Sequence, residues 1–260
     1  MTNVATVHAK KRLGLLLWLA GMIGAGSLLP VLPSLVSDLS SADLTVPIWL
    51  LQVVTLAQTA VLLAVAVFLG VVLAPKVGLS APAAEAAVMH RSVIEALRPQ
   101  ILPGITGGLV GGMAIAAVSL ILLPHLPAEF VVAAKKLSPP LLTRLLYGGI
   151  SEEVLMRWGL MTLLVWLPYR TMQKGEGKVR AGYYVGAIAI SAIIFGLGHL
   201  PVARILSPIM TAPLVAYVIA ANALFGFVAG YLYWRRGLEA AIIAHMLAHV
   251  ILLTAERLNP

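Results

Sequence analysis

The chain has no cysteine among its 260 residues. Disulfide bonds, thiolate metal sites and a cysteine nucleophile are excluded, and redox compartment is not readable from it. Charge is also scarce. Charged residues make up 11% of the chain, less than half the roughly 25% of an average soluble domain. What fills the space is apolar, 60% of all residues. A soluble fold of this length has no interior large enough to hide so much apolar surface, so most of it must face lipid. The few charges sum to +8, which on another background would suggest nucleic acid. Here the bases flank apolar runs instead of forming one patch, as membrane proteins do at anionic headgroups. The expected partner is the lipid bilayer, and no nucleic acid.

Apolar runs lie at 13–36, 47–74, 101–124, 141–167, 181–200, 207–234 and 238–254. Each approaches or exceeds the ~20 residues that cross ~30 Å of hydrocarbon. The expected fold is all-α, a polytopic transmembrane helix bundle of about seven spans. No small-residue cleavage site follows the first run, which reads as a retained anchor. Ala81 to Gln100 mixes Glu85, His90, Arg91, Glu95 and Arg98 with Ala, Val, Ile and Leu, and reads as an amphipathic helix on the membrane surface. The loop from Tyr169 to Gly182 is polar and glycine-bearing, hence expected to be mobile. Residues 1–100 thus hold the N-terminal spans and surface helix, and 101–260 the core with the chemistry. Lys10, Lys11, Arg12, Lys76, Arg91, Arg98, Arg170, Lys174, Lys178, Arg180, Arg235 and Arg236 would share one side. Lys135, Lys136, Arg204 and Arg257 would take the other, with Arg144 and Arg157 inside a span. The loop Ser37–Thr45 carries Asp38 and Asp43 and no base. The positive-inside rule then places the N-terminus in the cytoplasm of a multi-pass membrane protein.

Small residues at Gly107/Gly111, Gly108/Gly112 and Gly226/Gly230 let helices approach closely and need no catalytic reading. Gln52, Thr55, Gln58 and Thr59 are expected to bond between helices. The ionisable residues within spans are different, because a charge at the bilayer centre costs at least ~2.5–3.5 kcal/mol. Glu153 and Arg157 stand one turn apart in the favourable ion-pair order. Glu152 projects ~100° away from Glu153 on an α-helix, has no local cation, and is a candidate general base. Phe195 and His199 share a face across a turn left bare by Gly196 and Gly198. His245 and His249 have the i, i+4 spacing of zinc-binding helices, without the glutamate of H-E-x-x-H. Singly, each histidine is more simply an interfacial or interhelical group. Three histidines and an unpaired glutamate on three spans converge on the interior of a small bundle.

Together these segments resemble the motif set of the CPBP family: CAAX prenyl endopeptidases, bacteriocin-processing enzymes and their bacterial relatives, the Abi proteins. That family carries E-E-x-x-x-R, F-x-x-x-H and H-x-x-x-N or D, in this order, each on its own transmembrane helix. This chain has Glu152-Glu153-x-x-x-Arg157, Phe195-x-x-x-His199 and His245-x-x-x-His249. The third motif departs at position 249, where His stands for Asn or Asp. The resemblance covers about residues 140–255 and implies an intramembrane endopeptidase. Its substrate would be a peptide or protein, lipidated or otherwise held at the membrane. By position, Glu152 would activate water, Arg157 would hold Glu153, and His199 would help hold the water. His245 and His249 would stabilise the oxyanion. Such a base contributes ~10²–10⁴ in rate and each oxyanion donor ~10²–10³. The family is often classed as metalloprotease. A divalent metal such as zinc on Glu152, His199, His245 and His249 stays open beside a metal-free water. Two other readings remain. A non-catalytic binding or immunity scaffold of the same fold is favoured by the departure at 249. A transporter would call for an inverted repeat, and none is seen.

Overall fold

The structure, a computed structural model, describes residues 2–37 and 46–258. The acidic stretch with Asp38 and Asp43 lies outside the described residues. No strand occurs among the described residues. The helices are α1 (Thr2–Gly26), α2 (Leu32–Ser37), α3 (Ile48–Leu73), α4 (Pro82–Val88), α5 (Val93–Leu122) and α6 (Ala128–Leu137). They continue with α7 (141–171), α8 (Ala181–Gly198), α9 (Leu200–Leu206), α10 (Ala212–Arg235) and α11 (Leu238–Leu258).

Among the described residues, five stretches are long and apolar enough to cross a membrane: Ile48–Val77, Val93–His125, Ala181–Leu206, Ala212–Arg235 and Leu238–Leu258. The count of about seven is not reached by length and hydropathy. Helix α1 opens with a polar stretch that includes Lys10, Lys11 and Arg12, and α7 carries Arg144, Glu152, Glu153 and Arg157 along an otherwise apolar run. The stretch expected as one amphipathic surface helix is instead divided. Helix α4 ends at Val88, and the chain turns at His90, whose φ is 55°. Helix α5 starts at Val93 and runs unbroken to Leu122 past Pro99 and Pro103. Its start is set by Ser92, whose hydroxyl accepts the Glu95 N–H at 3.3 Å, an N-cap with an acid in the first turn. Large side chains such as Leu19, Ile23, Val61, Phe68, Leu102 and Ile121 face outward. In water they would be a liability; in a bilayer they face lipid.

The glycine pairs show how the bundle closes. Along α5, a Cβ on Gly107 or Gly111 would strike Leu232 or Phe225 of α10. One on Gly108 or Gly112 would strike Leu247 and the Ala244 carbonyl, or Ile251 and Ala248, of α11. Two adjacent small-residue stripes therefore seat two different helices. Gly226 and Gly230 of α10 do the same for Ala192 and Ile188 of α8. Helix α7 lies between α1, α3, α8, α10 and α11. It is held to α1 by the Ser151 hydroxyl, which donates to the Gly21 carbonyl at 2.7 Å.

The helices alternate in direction, so the bundle has two poles. Arg12 lies 3.3 Å from His90, and Lys76 lies over the Trp166 ring. The N–H of Leu238 donates to Ser80. These contacts gather the α1 start, the α3–α5 connection, the α7 end and the α10–α11 turn at one pole. The other holds α6, α9, the start of α7 and the end of α11. There Arg144 meets Glu256 in a two-pronged pair, Nη1–Oε1 2.9 Å and Nη2–Oε2 2.7 Å. Arg144 lies near this pole, and its partner is half-exposed.

Candidate active site

Helix α7 is not wound as a plain α-helix. Arg144–Glu152 and Val154–Met161 are π-helical, a wide winding found mostly as short bulges at functional sites. Here it carries both adjacent glutamates toward the same neighbours, although they leave the backbone in different directions. Glu153 is fully buried. Its Oε1 lies 3.0 Å from Arg157 Nη1 and accepts from His245 Nδ1 at 2.7 Å. Arg157 Nη2 donates to the Gly226 carbonyl at 3.3 Å. The guanidinium carbon lies 5.2 Å from the Phe195 ring centroid and 5.9 Å from that of Phe225. Two aromatic faces thus help hold a cation that the bundle has taken out of water. The i, i+4 pair expected from the spacing is present, with a third member, His245, from another helix.

Glu152 has different company. Its Oε1 is 4.0 Å from His199 Nε2 and its Oε2 is 3.8 Å from His245 Nε2. These separations are too long for direct hydrogen bonds and suited to a bridging water. Both imidazoles are oriented from behind. His199 Nδ1–H donates to the Phe195 carbonyl at 2.8 Å, and His245 Nδ1–H donates to Glu153. In the neutral rings this leaves the Nε2 lone pairs facing Glu152, since one nitrogen of a neutral imidazole donates and the other accepts. Phe195 and Phe225 fix the rings further, at 4.8 Å from His199 and 4.3 Å from His245 between centroids.

His249 stands apart from this group. Its ring stacks on His245 at 4.8 Å and 14°, but both its ring nitrogens are buried without a hydrogen-bond partner. Nε2 is turned toward α7, only 2.3 Å from where a Cβ on Gly148 would be. The structure therefore brings Glu152, Glu153, Arg157, His199 and His245 together and sets His249 beside them. Among the described residues, no group of three or more His, Cys, Asp or Glu side chains is placed to hold a metal ion.

The three histidines line a cavity of ≈ 250 Å³. Its other walls are mainly apolar and come from α5, α6, α8, α9, α10 and α11. Asn222 of α10 also faces it and was not singled out from the sequence. Its Nδ2 donates to Val218 one turn back at 2.8 Å, so half of the carboxamide is committed to its own helix. The available signal was a lone amide within an Ala- and Leu-rich span, where polar groups tend to face the bundle interior. Gly148 was missed for a different reason: nothing near it in sequence mentions position 249.

The comparisons with known proteins bear on the same segment. Residues 134–251 match the family model described as type II CAAX prenyl endopeptidase, Rce1-like. That range begins within α6 and takes in α7 through most of α11, including all three motifs. No curated protein and no solved structure matches the chain.

Proposed function

We propose that this chain is a CAAX-type intramembrane protease, as the match of residues 134–251 to the Rce1-like family supports, and that it hydrolyses a peptide bond with water activated by Glu152. The observation that supports this most directly is the position of Glu152, unpaired with any cation and facing the Nε2 atoms of His199 and His245. A water between Glu152 Oε1 and His199 Nε2 would give one proton to each acceptor's lone pair as a hydrogen bond, leaving its own lone pairs free for attack. On attack, one proton passes to Glu152. The carboxylate lies within a small movement of His245 Nε2, and apo hydrogen bonds of this kind tighten in the reacting complex. His245 can take that proton while Glu153 steadies Nδ1. The ring then presents Nε2–H to the oxyanion and afterwards to the departing amine. Arg157 does not touch the substrate in this scheme; it is a positioning residue that holds Glu153 and, through it, His245.

The substrate is a protein or peptide at the membrane, and the apolar cavity suits an apolar side chain beside the cut. The experiment is a comparison of membrane-protein termini in cells carrying the wild-type chain or Glu152→Gln. New termini present only with the wild type are expected. Identical termini in the two strains would remove the protease reading and favour the binding scaffold.

A further inference from the structure

We propose that Asn222 binds the backbone of the substrate, its side-chain oxygen accepting one peptide N–H within the cavity. The proposal rests on the protease reading above and adds a residue that lies outside the three motifs.

The polar groups of the cavity wall are His199, His245, His249, Tyr217 and Asn222, and most of them are engaged. His199 and His245 each use Nδ1 on a partner within the bundle and turn Nε2 toward Glu152. Both His249 nitrogens are sealed from the cavity. The Tyr217 hydroxyl lies 3.1 Å from that of Ser119. Asn222 is different. Its Nδ2 donates to the Val218 carbonyl at 2.8 Å, which fixes the orientation of the carboxamide, since a carbonyl can only accept. Oδ1 has no hydrogen-bond partner among the described residues, yet it is not sealed off as the His249 nitrogens are. It is the one accessible acceptor of the wall with no bond in the bundle and no place in the water-activating scheme.

An amide in an apolar, intramembrane wall is costly unless its polar atoms are paired. Its own helix meets half of that demand. A peptide backbone meets the other half, because each non-proline unit brings an N–H that must itself find a partner once it leaves water.

Helix α10 sets Asn222 at the level of the reacting groups. Just before it, the Ile219 carbonyl lies 2.7 Å from where a Cβ on Gly196 would be, so α10 crosses α8 within the Phe195–His199 turn. Just after it, the Phe225 ring lies 4.3 Å from that of His245, and the Gly226 carbonyl accepts from Arg157 at 3.3 Å. Glu152 is not part of this wall. It faces the His199 and His245 rings, which the wall and the activated water share. A peptide whose scissile carbonyl lies beside those rings has its neighbouring units along α10, where Oδ1 is. Such a contact reads the backbone and leaves the choice of side chain to the apolar walls. It holds the bound peptide and the transition state alike, so its loss falls on KM more than on kcat.

The probe is a synthetic peptide spanning a terminus that depends on Glu152, together with copies in which single amides other than the scissile one are replaced by esters. The ester keeps the shape of the chain and removes one N–H. Purified wild type is compared with Asn222→Ala and with Asn222→Leu, which keeps the volume of the wall. Both variants are expected to unfold near the wild-type temperature and to lose about tenfold in kcat/KM, mainly through KM, the worth of one neutral hydrogen bond. One ester position should cost the wild type a similar factor and cost either variant nothing further, as for two groups that bond each other. Wild-type kinetics of Asn222→Leu overturn the proposal and leave Asn222 as packing. So does an ester scan in which every replacement costs wild type and variants the same factor. If no terminus depends on Glu152, the protease reading fails and this inference falls with it. Glu152-dependent termini with an indifferent Asn222 remove this inference alone.

Discussion

Helix α7 meets two glutamates through two arginines, under opposite conditions. Arg157 and Glu153 are buried at mid-bundle, with side chains 2% and 0% exposed. Arg144 and Glu256 sit at the pole that holds α6 and α9, and the Glu256 side chain is 47% exposed. The outer pair has the better hydrogen-bond geometry, with both prongs made and the Ser138 hydroxyl and Pro139 carbonyl as further partners of Arg144. The inner pair has one close approach and leaves Glu153 Oε2 and Arg157 Nε without partners. Geometry alone would rank the outer pair first. Desolvation reverses the ranking for the loss of one partner: a buried charge left alone has no water to turn to, whereas an exposed one does. The inner pair is therefore expected to matter more, and chiefly because it steadies His245.

The sharpest break of that comparison is Arg157→Ala. It strands Glu153 and is expected to cost about 3–5 kcal/mol of stability, together with loss of cleavage. Its neighbour on α7 supplies the contrast. Glu152→Gln keeps shape and removes a carboxylate that neutralises no cation. It should leave thermal unfolding of the purified protein nearly unchanged while lowering cleavage by at least ~10²–10⁴. Equal destabilisation by the two substitutions would show that the glutamates do not divide the roles in this way.

That division was partly legible before any coordinates. The order Glu152-Glu153-x-x-x-Arg157, Phe195-x-x-x-His199, His245 placed the charged and imidazole groups on three spans, and intramembrane cost argued that they meet. The glycine stripes of α5 and α10 were legible too, because small-residue spacing is a local property of one helix. Interactions set by the packing of distant segments were not. Arg144 reads as a charge within a span with no partner until Glu256, at the far end of the last helix, is seen beside it. The amphipathic reading of 81–100 failed because composition does not show a turn at His90, or that Gln100 is buried and accepts the Ala240 N–H at 3.1 Å. The i, i+4 spacing of His245 and His249 correctly put both rings on one face. It could not show that the bare backbone at Gly148 gives the His249 ring a place against α7.

This last pair yields a smaller effect. Gly148→Ala places a methyl against His249 Nε2 and should cost about 1–3 kcal/mol by overpacking. In a His249→Asn background the smaller side chain removes the conflict, so the same substitution should cost far less, a non-additivity expected of residues in contact. The activities separate the roles of position 249. If the imidazole donates to the oxyanion after a ring rotation, His249→Asn keeps much of the rate, because an amide N–H replaces a ring N–H, and His249→Ala loses roughly 10²-fold. An inactive Asn variant beside an active His249→Asp variant, both sensitive to a strong chelator, would instead point to a metal ligand, since Asn is a poor zinc ligand.

The smallest effect belongs to the outer pair. Glu256→Ala removes both prongs from Arg144, yet the guanidinium keeps the Pro139 carbonyl at 3.0 Å and the Ser138 hydroxyl at 2.9 Å. Its long side chain can also reach headgroups and water at the membrane border. The expected loss is about 0–1 kcal/mol, the range of exposed ion pairs. It should shrink further as salt is raised, because a pair open to solvent is screened. Thermal unfolding of wild type and Glu256→Ala at low and high ionic strength measures both. A loss as large as that of Arg157→Ala, indifferent to salt, would mean that Arg144 lies within hydrocarbon and not at its edge. The cavity above the three histidines would then sit deeper in the membrane than the position of Glu256 indicates.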